Sequence, residues 1–351
     1  MFRLKELDNL RGFAALNVVV YHYTARFREV YHHNYPSKFD WNYGHYGVEL
    51  FFIISGFVIF MTLHKVKDIK EFTFKRFARL YPTYWICILI TLIATGIFQY
   101  SKVESYSTVQ LLVNFTMLQE IVKQNSIDGV YWSLLPELFF YVFIGFFYAI
   151  GWLSKVRFIA FFWLSVMVAN QLGLLPFGAY ALNAKYGMFF LAGILFYQLK
   201  FNKGNWIEHL LILCCLLTGI WTHRSPETWY VFTGIFALFY LFIYDQLKVI
   251  SCKPLLFLGY VSYPLYLLHQ NIGFYVMNRL KPYISQDYII IIITMSFLIG
   301  LAWLVTKFLE KPILSYLNGK LKSQPRTSND RSFNDHSLDF LKNEEISVFQ
   351  K

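Results

Sequence analysis

Between residues 8 and 309 the chain is a series of apolar runs joined by short polar connections, and most runs are about as long as a lipid-spanning helix. Crossing the hydrocarbon core takes about 20 apolar residues in helical form. Backbone N–H and C=O groups find no water there and must pair within the segment. By that ruler ten spans are expected, at 8–27, 47–64, 80–98, 131–151, 156–175, 185–200, 207–222, 229–245, 255–278 and 287–309. The predicted fold class is an all-α, polytopic transmembrane bundle. A further run, 109–122, is short and carries Asn114, Gln119 and Glu120; it is expected to be interfacial or re-entrant, and if it crossed, everything after it would invert. Composition fits the same class: 56% of residues are hydrophobic and 15% charged, against about 25% charged in ordinary soluble domains. A soluble enzyme, a disordered chain and a secreted disulfide scaffold are all excluded.

The net charge is +11, which raises nucleic-acid binding, but cations clustered between apolar runs are what the positive-inside rule produces. No nucleic-acid partner is expected. Lys65, Lys67, Lys70, Lys75, Arg76 and Arg79 crowd the second connection, whereas the connection 99–130 carries only Lys102 and Lys123. With Arg3, Lys5 and Arg11 at the start of the first span, the N-terminus is expected in the cytoplasm, and an even number of crossings returns the C-terminus there. No cleavable signal peptide is expected. Cys87, Cys214, Cys215 and Cys252 lie in or beside apolar runs without metal-ligand spacing and read as small buried hydrophobes; no metal is expected. The domain reading is a transmembrane domain over 1–313, followed by a polar cytoplasmic tail over 314–351 with little fixed structure.

Ionisable groups inside apolar runs are costly, on the order of 2.5–3.5 kcal/mol at the bilayer centre, and therefore point to function. Four stand out, His22, Glu49, Glu137 and His269, each of which could also be a helix-end group facing interfacial water. Arg11 and His22 are eleven residues apart, which puts them on nearly one helix face about 16 Å apart along the axis. Asp8, one turn before Arg11, is a plausible partner for it. On the expected topology the four groups fall in the outer half of the membrane, while Arg11, Arg76 and Arg79 fall at the inner face. Arg76 and Arg79 share a face at i and i+3. Arginine forks match phosphate oxygens, although cations at a cytoplasmic helix end also follow from topology alone. In Trp132-Ser133-Leu134-Leu135-Pro136-Glu137, Ser133 reads as an N-cap and Glu137 as a first-turn residue pointing into the bundle.

These same residues resemble the membrane acyltransferase 3 family. Asp8-Asn9-Leu10-Arg11-Gly12 followed by His22 is similar to its first-span signature. Gly44 to Phe57, Lys75 to Trp85, the Trp132, Ser133, Leu134, Glu137, Tyr141 pattern, Leu258 to His269 (with Tyr263 inside it) and Glu310-Lys311-Pro312 resemble its later blocks, in order. Glu49 stands where members often have Asp, and Pro136 before Glu137 is less usual. The resemblance implies an integral membrane O-acyltransferase of the bacterial cytoplasmic (inner) membrane. It would move an acyl group, usually acetyl from acetyl-CoA, to a sugar hydroxyl of a surface glycan or a lipid-linked oligosaccharide. It also implies that Arg11 and His22 are required for activity and that Arg76 and Arg79 serve the donor.

On this expectation Arg76, Arg79 and Arg11 meet the phosphates of acyl-CoA, and His22 acts as general base or carries the acyl group as an acyl-imidazole. Glu137 or Glu49 orients the imidazole or binds sugar hydroxyls, with Asp8, Trp132, Ser133, Tyr263 and His269 in support. Without the resemblance, a proton-coupled transporter or flippase of a glycan or anionic solute would fit the intramembrane Arg, His and Glu equally well.

Overall fold

The computed structural model describes residues 4–33, 35–99, 105–175, 183–202, 204–247 and 252–322, with side chains to residue 320. The described residues form helices joined by turns, with no strand among them. We number the α-helices in chain order: α1 Lys5–Tyr21, α2 Phe27–Tyr31, α3 Gly47–Leu63, α4 Ile69–Phe98, α5 Thr108–Asn114, α6 Leu134–Ala149, α7 Val156–Gln171, α8 Gly187–Phe201, α9 Trp206–His223, α10 Thr228–Ile243, α11 Lys253–Leu280, α12 Asp287–Val305 and α13 Lys311–Lys322.

Six helical stretches are long and apolar enough to cross a membrane: Ser37–Leu63, Ile69–Phe98, Gly129–Ala149, Trp152–Gln171, Trp206–His223 and Asp287–Lys320. The shorter α8 and α10 are apolar as well. The other two expected spans coincide with α1 and α11, whose polar side chains dilute their hydropathy and, as described below, meet each other. The run 109–122 is not a crossing helix. Its α5 has seven residues and reaches about 10 Å at 1.5 Å per residue. The turn after it is held by the buried Asn114, which donates to the carbonyls of Gln110 and Asn125 and accepts from the Ile127 N–H.

Local sequence sets the helix ends near the site. Asp68 caps α4 by accepting from the Glu71 N–H at 2.7 Å, while Glu71 accepts from the Lys67 N–H at 2.8 Å. Two helices pass through a π turn: His22–Arg26 joins α1 to α2, and Thr306–Glu310 joins α12 to α13. Such turns are rare and concentrate at functional sites; His22 opens the first and Glu310 closes the second. The tail expectation is corrected in part. Helix α13 continues to Lys322, so residues 314–322 are helical; the remainder of 314–351 lies outside the described residues.

Among the helix pairs, α1 packs most closely on α11 and α3 on α8. The reason lies in two pairs of glycines. A methyl group on Gly12 would overlap the Leu255 carbonyl oxygen, and one on Gly259 would overlap the Asp8 carbonyl oxygen. Gly56 and Gly193 meet in the same way, a Cβ on Gly193 falling 2.7 Å from the Phe57 nitrogen. In lipid there is little hydrophobic gain on helix association, so close backbone approach through small residues supplies the attraction. Gly259→Val should force α1 and α11 apart and cost about 1–3 kcal/mol, the usual toll of overpacking. It should be read as a lower thermal midpoint in detergent together with loss of activity, whereas valine at Gly234, where a Cβ meets nothing, should change neither.

Candidate active site

Between α3, α4, α6, α11 and α13 lies a cavity of about 670 Å³, within the range of small-ligand sites. Lys65, Lys75, Arg76, Arg79 and Lys311 contribute positive charge to its wall, and Arg11, Ser55, Ser133, Glu137, Tyr141, Tyr263 and Tyr266 contribute most of its other polar groups.

The two arginines of the Arg-x-x-Arg element are in different situations. Arg79 is ion-paired to Glu310, whose side chain is almost wholly buried, and lies over the Tyr263 ring at 5.4 Å. Its charge is already matched. Arg76 lies over the rings of Phe72 at 5.8 Å and Tyr141 at 5.9 Å. Among the described residues its buried Nε has no hydrogen-bond partner. Arg76 is therefore the more available of the two for an incoming anion, and Arg79 instead ties α4 to the π turn before α13. Arg11 sits 3.5 Å from Asp8.

Glu137, in the first turn of α6, accepts from the Tyr141 hydroxyl at 2.5 Å and the Ser55 hydroxyl at 3.2 Å. The sequence reading separated Glu137 from the arginines by depth, but Glu137, Arg11 and Arg76 all line one cavity. Ser133 is the N-cap residue of α6, as expected, but its side chain makes no capping bond. A 3-10 turn, Gly129–Ser133, precedes α6, and its cap is Asp128. Ser133 is already in helical conformation, and its hydroxyl is 2.7 Å from that of Tyr266 on α11. Asp128 also accepts from the Asn271 N–H at 3.0 Å, so the turn is pinned to α11 at both Tyr266 and Asn271.

His22 and His269 meet. His22 Nδ1 lies 3.1 Å from His269 Nε2 and 2.9 Å from the Val18 carbonyl oxygen, while His269 Nδ1 lies 2.8 Å from the Tyr266 carbonyl oxygen. A carbonyl can only accept, so in the neutral rings both Nδ1 atoms carry hydrogen. The single His22 Nδ1–H is then shared between the Val18 carbonyl and the His269 Nε2 lone pair, and the His22 side chain also has the Gln270 side chain as a hydrogen-bond partner. His22 is not part of the cavity wall; Tyr266, which is, lies one helical turn before His269.

Glu49 and Trp132 lie elsewhere. Glu49 is buried 3.4 Å from His223 of α9, and Trp132 packs against Tyr186 with ring centroids 5.2 Å apart; neither lines the cavity. Sequence reasoning passed over Ser55, Tyr266, Lys65, Lys75 and Lys311 as site residues. Tyr266 had a usable signal, one turn before an intramembrane histidine; the lysines looked like topology charges.

A family model described as an acyltransferase domain matches residues 4–307. The chain belongs to the acyltransferase 3 family. A protein of Acidianus two-tailed virus named "Putative acetyltransferase ORF330" is 27% identical over 283 residues, covering 75% of this chain and 81% of that relative. "Putative peptidoglycan O-acetyltransferase YrhL" of Bacillus subtilis (strain 168) is 31% identical over 99 residues, 26% of this chain and 13% of that protein. No solved structure matches. Family membership decides between the two readings left open by the residues alone: the chain is an acyltransferase rather than a transporter, and a multi-pass membrane protein.

The Arg79–Glu310 pair yields a prediction about stability. Removing one partner of a hydrogen-bonded charged pair costs about 1.5–3 kcal/mol. Glu310→Ala should therefore lower the thermal midpoint of the purified protein, and Arg76→Ala should leave it within about a degree of wild type. Equal midpoints for the two variants would contradict the division of roles between the arginines.

Proposed function

We propose that this acyltransferase moves an acetyl group from acetyl-CoA to a sugar hydroxyl of a surface glycan or its lipid-linked precursor in a bacterial cytoplasmic membrane. In this reading the chain crosses ten times and both termini lie in the cytoplasm. The acetyl group and the glycan acceptor are suggested by the names of the two relatives.

The observation that carries the donor assignment is the cavity. Lys65 and Lys75 on its wall belong to the lysine-rich connection around α4 that the positive-inside rule places in the cytoplasm, where acyl-CoA is found. Phosphates of the donor meet Arg76, Lys65 and Lys311, while Lys75 is paired to Glu71 at 2.6 Å. The pantetheine arm runs inward past Arg11 and Glu137 towards the Ser133–Tyr266 bond. Arg79 positions this wall through Glu310 rather than binding phosphate itself.

His22 is the base. Its Nε2 lone pair takes the acceptor hydroxyl proton as that oxygen bonds to the thioester carbonyl carbon. Collapse of the tetrahedral intermediate breaks the C–S bond, and the proton passes from His22 Nε2 to the departing sulfur.

Purified protein in nanodiscs with radiolabelled acetyl-CoA and a surface-glycan extract should move label into an alkali-labile glycan fraction. His22→Ala should stop transfer while leaving CoA binding intact, and Arg76→Ala should raise the donor KM about tenfold or more. Normal transfer by a well-folded His22→Ala protein would refute the base assignment. An unchanged KM in Arg76→Ala would refute donor docking in the cavity.

A further inference from the structure

We infer that His269 is a positioning residue that forms a two-imidazole base with His22, taking the place an ionised carboxylate holds in a Ser-His-Asp triad. The inference rests on the reading of His22 as the base, and it adds a second residue to the proton-transfer machinery.

Hydrogen-bond partners fix the arrangement. The carbonyl of Tyr266 requires Nδ1–H on His269, and the carbonyl of Val18 requires Nδ1–H on His22. Reversing the bond between the rings would set a lone pair against each carbonyl. One proton arrangement of the neutral pair therefore suits both carbonyls, with the single His22 Nδ1–H shared between the Val18 oxygen and His269 Nε2, 3.1 Å away. The rings meet nearly edge to face, 79° between planes with centroids 4.7 Å apart.

The surroundings hold His269 in that pose. It is fully buried, and its main-chain carbonyl accepts from the Tyr23 hydroxyl at 2.8 Å. Tyr23 is itself fully buried and follows His22 at the opening of the π turn. One turn before His269 the Tyr266 hydroxyl is tied to Ser133, and just beyond it the Asn271 N–H is tied to Asp128. Such constraint on a side chain that packing alone could bury points to a role for its ring atoms.

The chemistry follows. When His22 Nε2 accepts the hydroxyl proton, the ring becomes a cation in apolar surroundings, which is costly unless the charge is hydrogen-bonded. The Nδ1 proton then moves part of the way to His269 Nε2, and positive charge is shared over two rings whose far end donates to the Tyr266 carbonyl. On collapse of the intermediate the Nδ1 proton returns to His22 and the Nε2 proton goes to the departing sulfur. No proton is gained or lost by the pair over a turnover. A triad aspartate stabilises the imidazolium with a formal charge and without taking its proton. A second neutral imidazole avoids carrying that formal charge into the bilayer, where charged side chains are costly.

Nanodisc-embedded His269→Phe and His269→Gln are compared with wild type. The phenylalanine ring fills the space but accepts nothing; the glutamine side-chain oxygen can accept from His22 Nδ1–H. His269→Phe should lower kcat about 100-fold or more with the donor KM within about threefold, and His269→Gln should recover kcat to within about tenfold of wild type. Equal kcat values for the two folded variants would overturn the inference. Should either variant fail to fold, the wild type labelled with nitrogen-15 histidine decides: His22, assigned by its missing signals in His22→Ala, should show Nδ1–H at neutral pH, and an Nε2–H tautomer would overturn the pairing. The two levels separate cleanly. Inactive His22→Ala beside a fully active His269→Phe removes the pair and leaves the base; active His22→Ala removes both.

Discussion

The contact between α1 and α11 is the constraint on which the rest of the site depends. It is made of backbone against backbone, since neither Gly12 nor Gly259 has room for a Cβ. That closeness sets how far apart the side chains farther along the two helices can be. Ten residues beyond Gly12 and ten beyond Gly259 stand His22 and His269, on two helices held at one separation by the glycines. The imidazole contact is thus the far end of a packing arrangement that begins one membrane half away. Lipid supplies little of the attraction, so the tightness of the glycine contact is what keeps the rings at hydrogen-bonding distance.

Much of the fold was legible because the bilayer imposes a simple rule. Each expected span from 8–27 to 287–309 coincides with a helix, and the short polar run at 109–122 does not cross. Length and apolarity mark six crossing helices by themselves, and the reason the other candidates are less apparent is informative. Helices α1 and α11 carry the polar residues of the site, so the features that make them functional also weaken their hydropathy. The tail was misjudged over 314–322 for a related reason. Loss of an apolar run marks the end of lipid exposure, whereas α13 lies with Lys311, Leu314 and Asn318 on the cavity wall and needs only one apolar face.

The site was legible as a set of residues and not as a set of partners. Burial cost singles out His22, Glu137 and His269 without saying what each one touches, because no periodicity links helices separated by more than 200 positions in sequence. Arg76 and Arg79 illustrate the limit. At i and i+3 they share a face, and a charge count treats them alike. Tertiary contact separates them: Glu310 matches the charge of Arg79, while Arg76 lies beside aromatic rings and its buried Nε has no hydrogen-bond partner among the described residues. The same holds for Glu49, which reads like Glu137 in the sequence but faces His223 away from the cavity.

The layer between cavity and imidazoles has a chemical consequence. Tyr266 lines the cavity and its hydroxyl meets that of Ser133, while its main-chain carbonyl accepts from His269 Nδ1. In the proposed reaction a thioester arriving from the cationic side meets this layer before it meets His22. In that proposed reaction a polar, bulky acceptor sugar would reach His22 from the side away from the donor. Keeping the two substrates on separate sides of a tyrosine layer limits access of bulk water to the thioester, and hydrolysis is the reaction that a transferase must suppress. In the proposed reaction the Tyr266 side chain and main chain thus serve different parts, the hydroxyl meeting Ser133 on the donor side and the carbonyl setting the proton on His269.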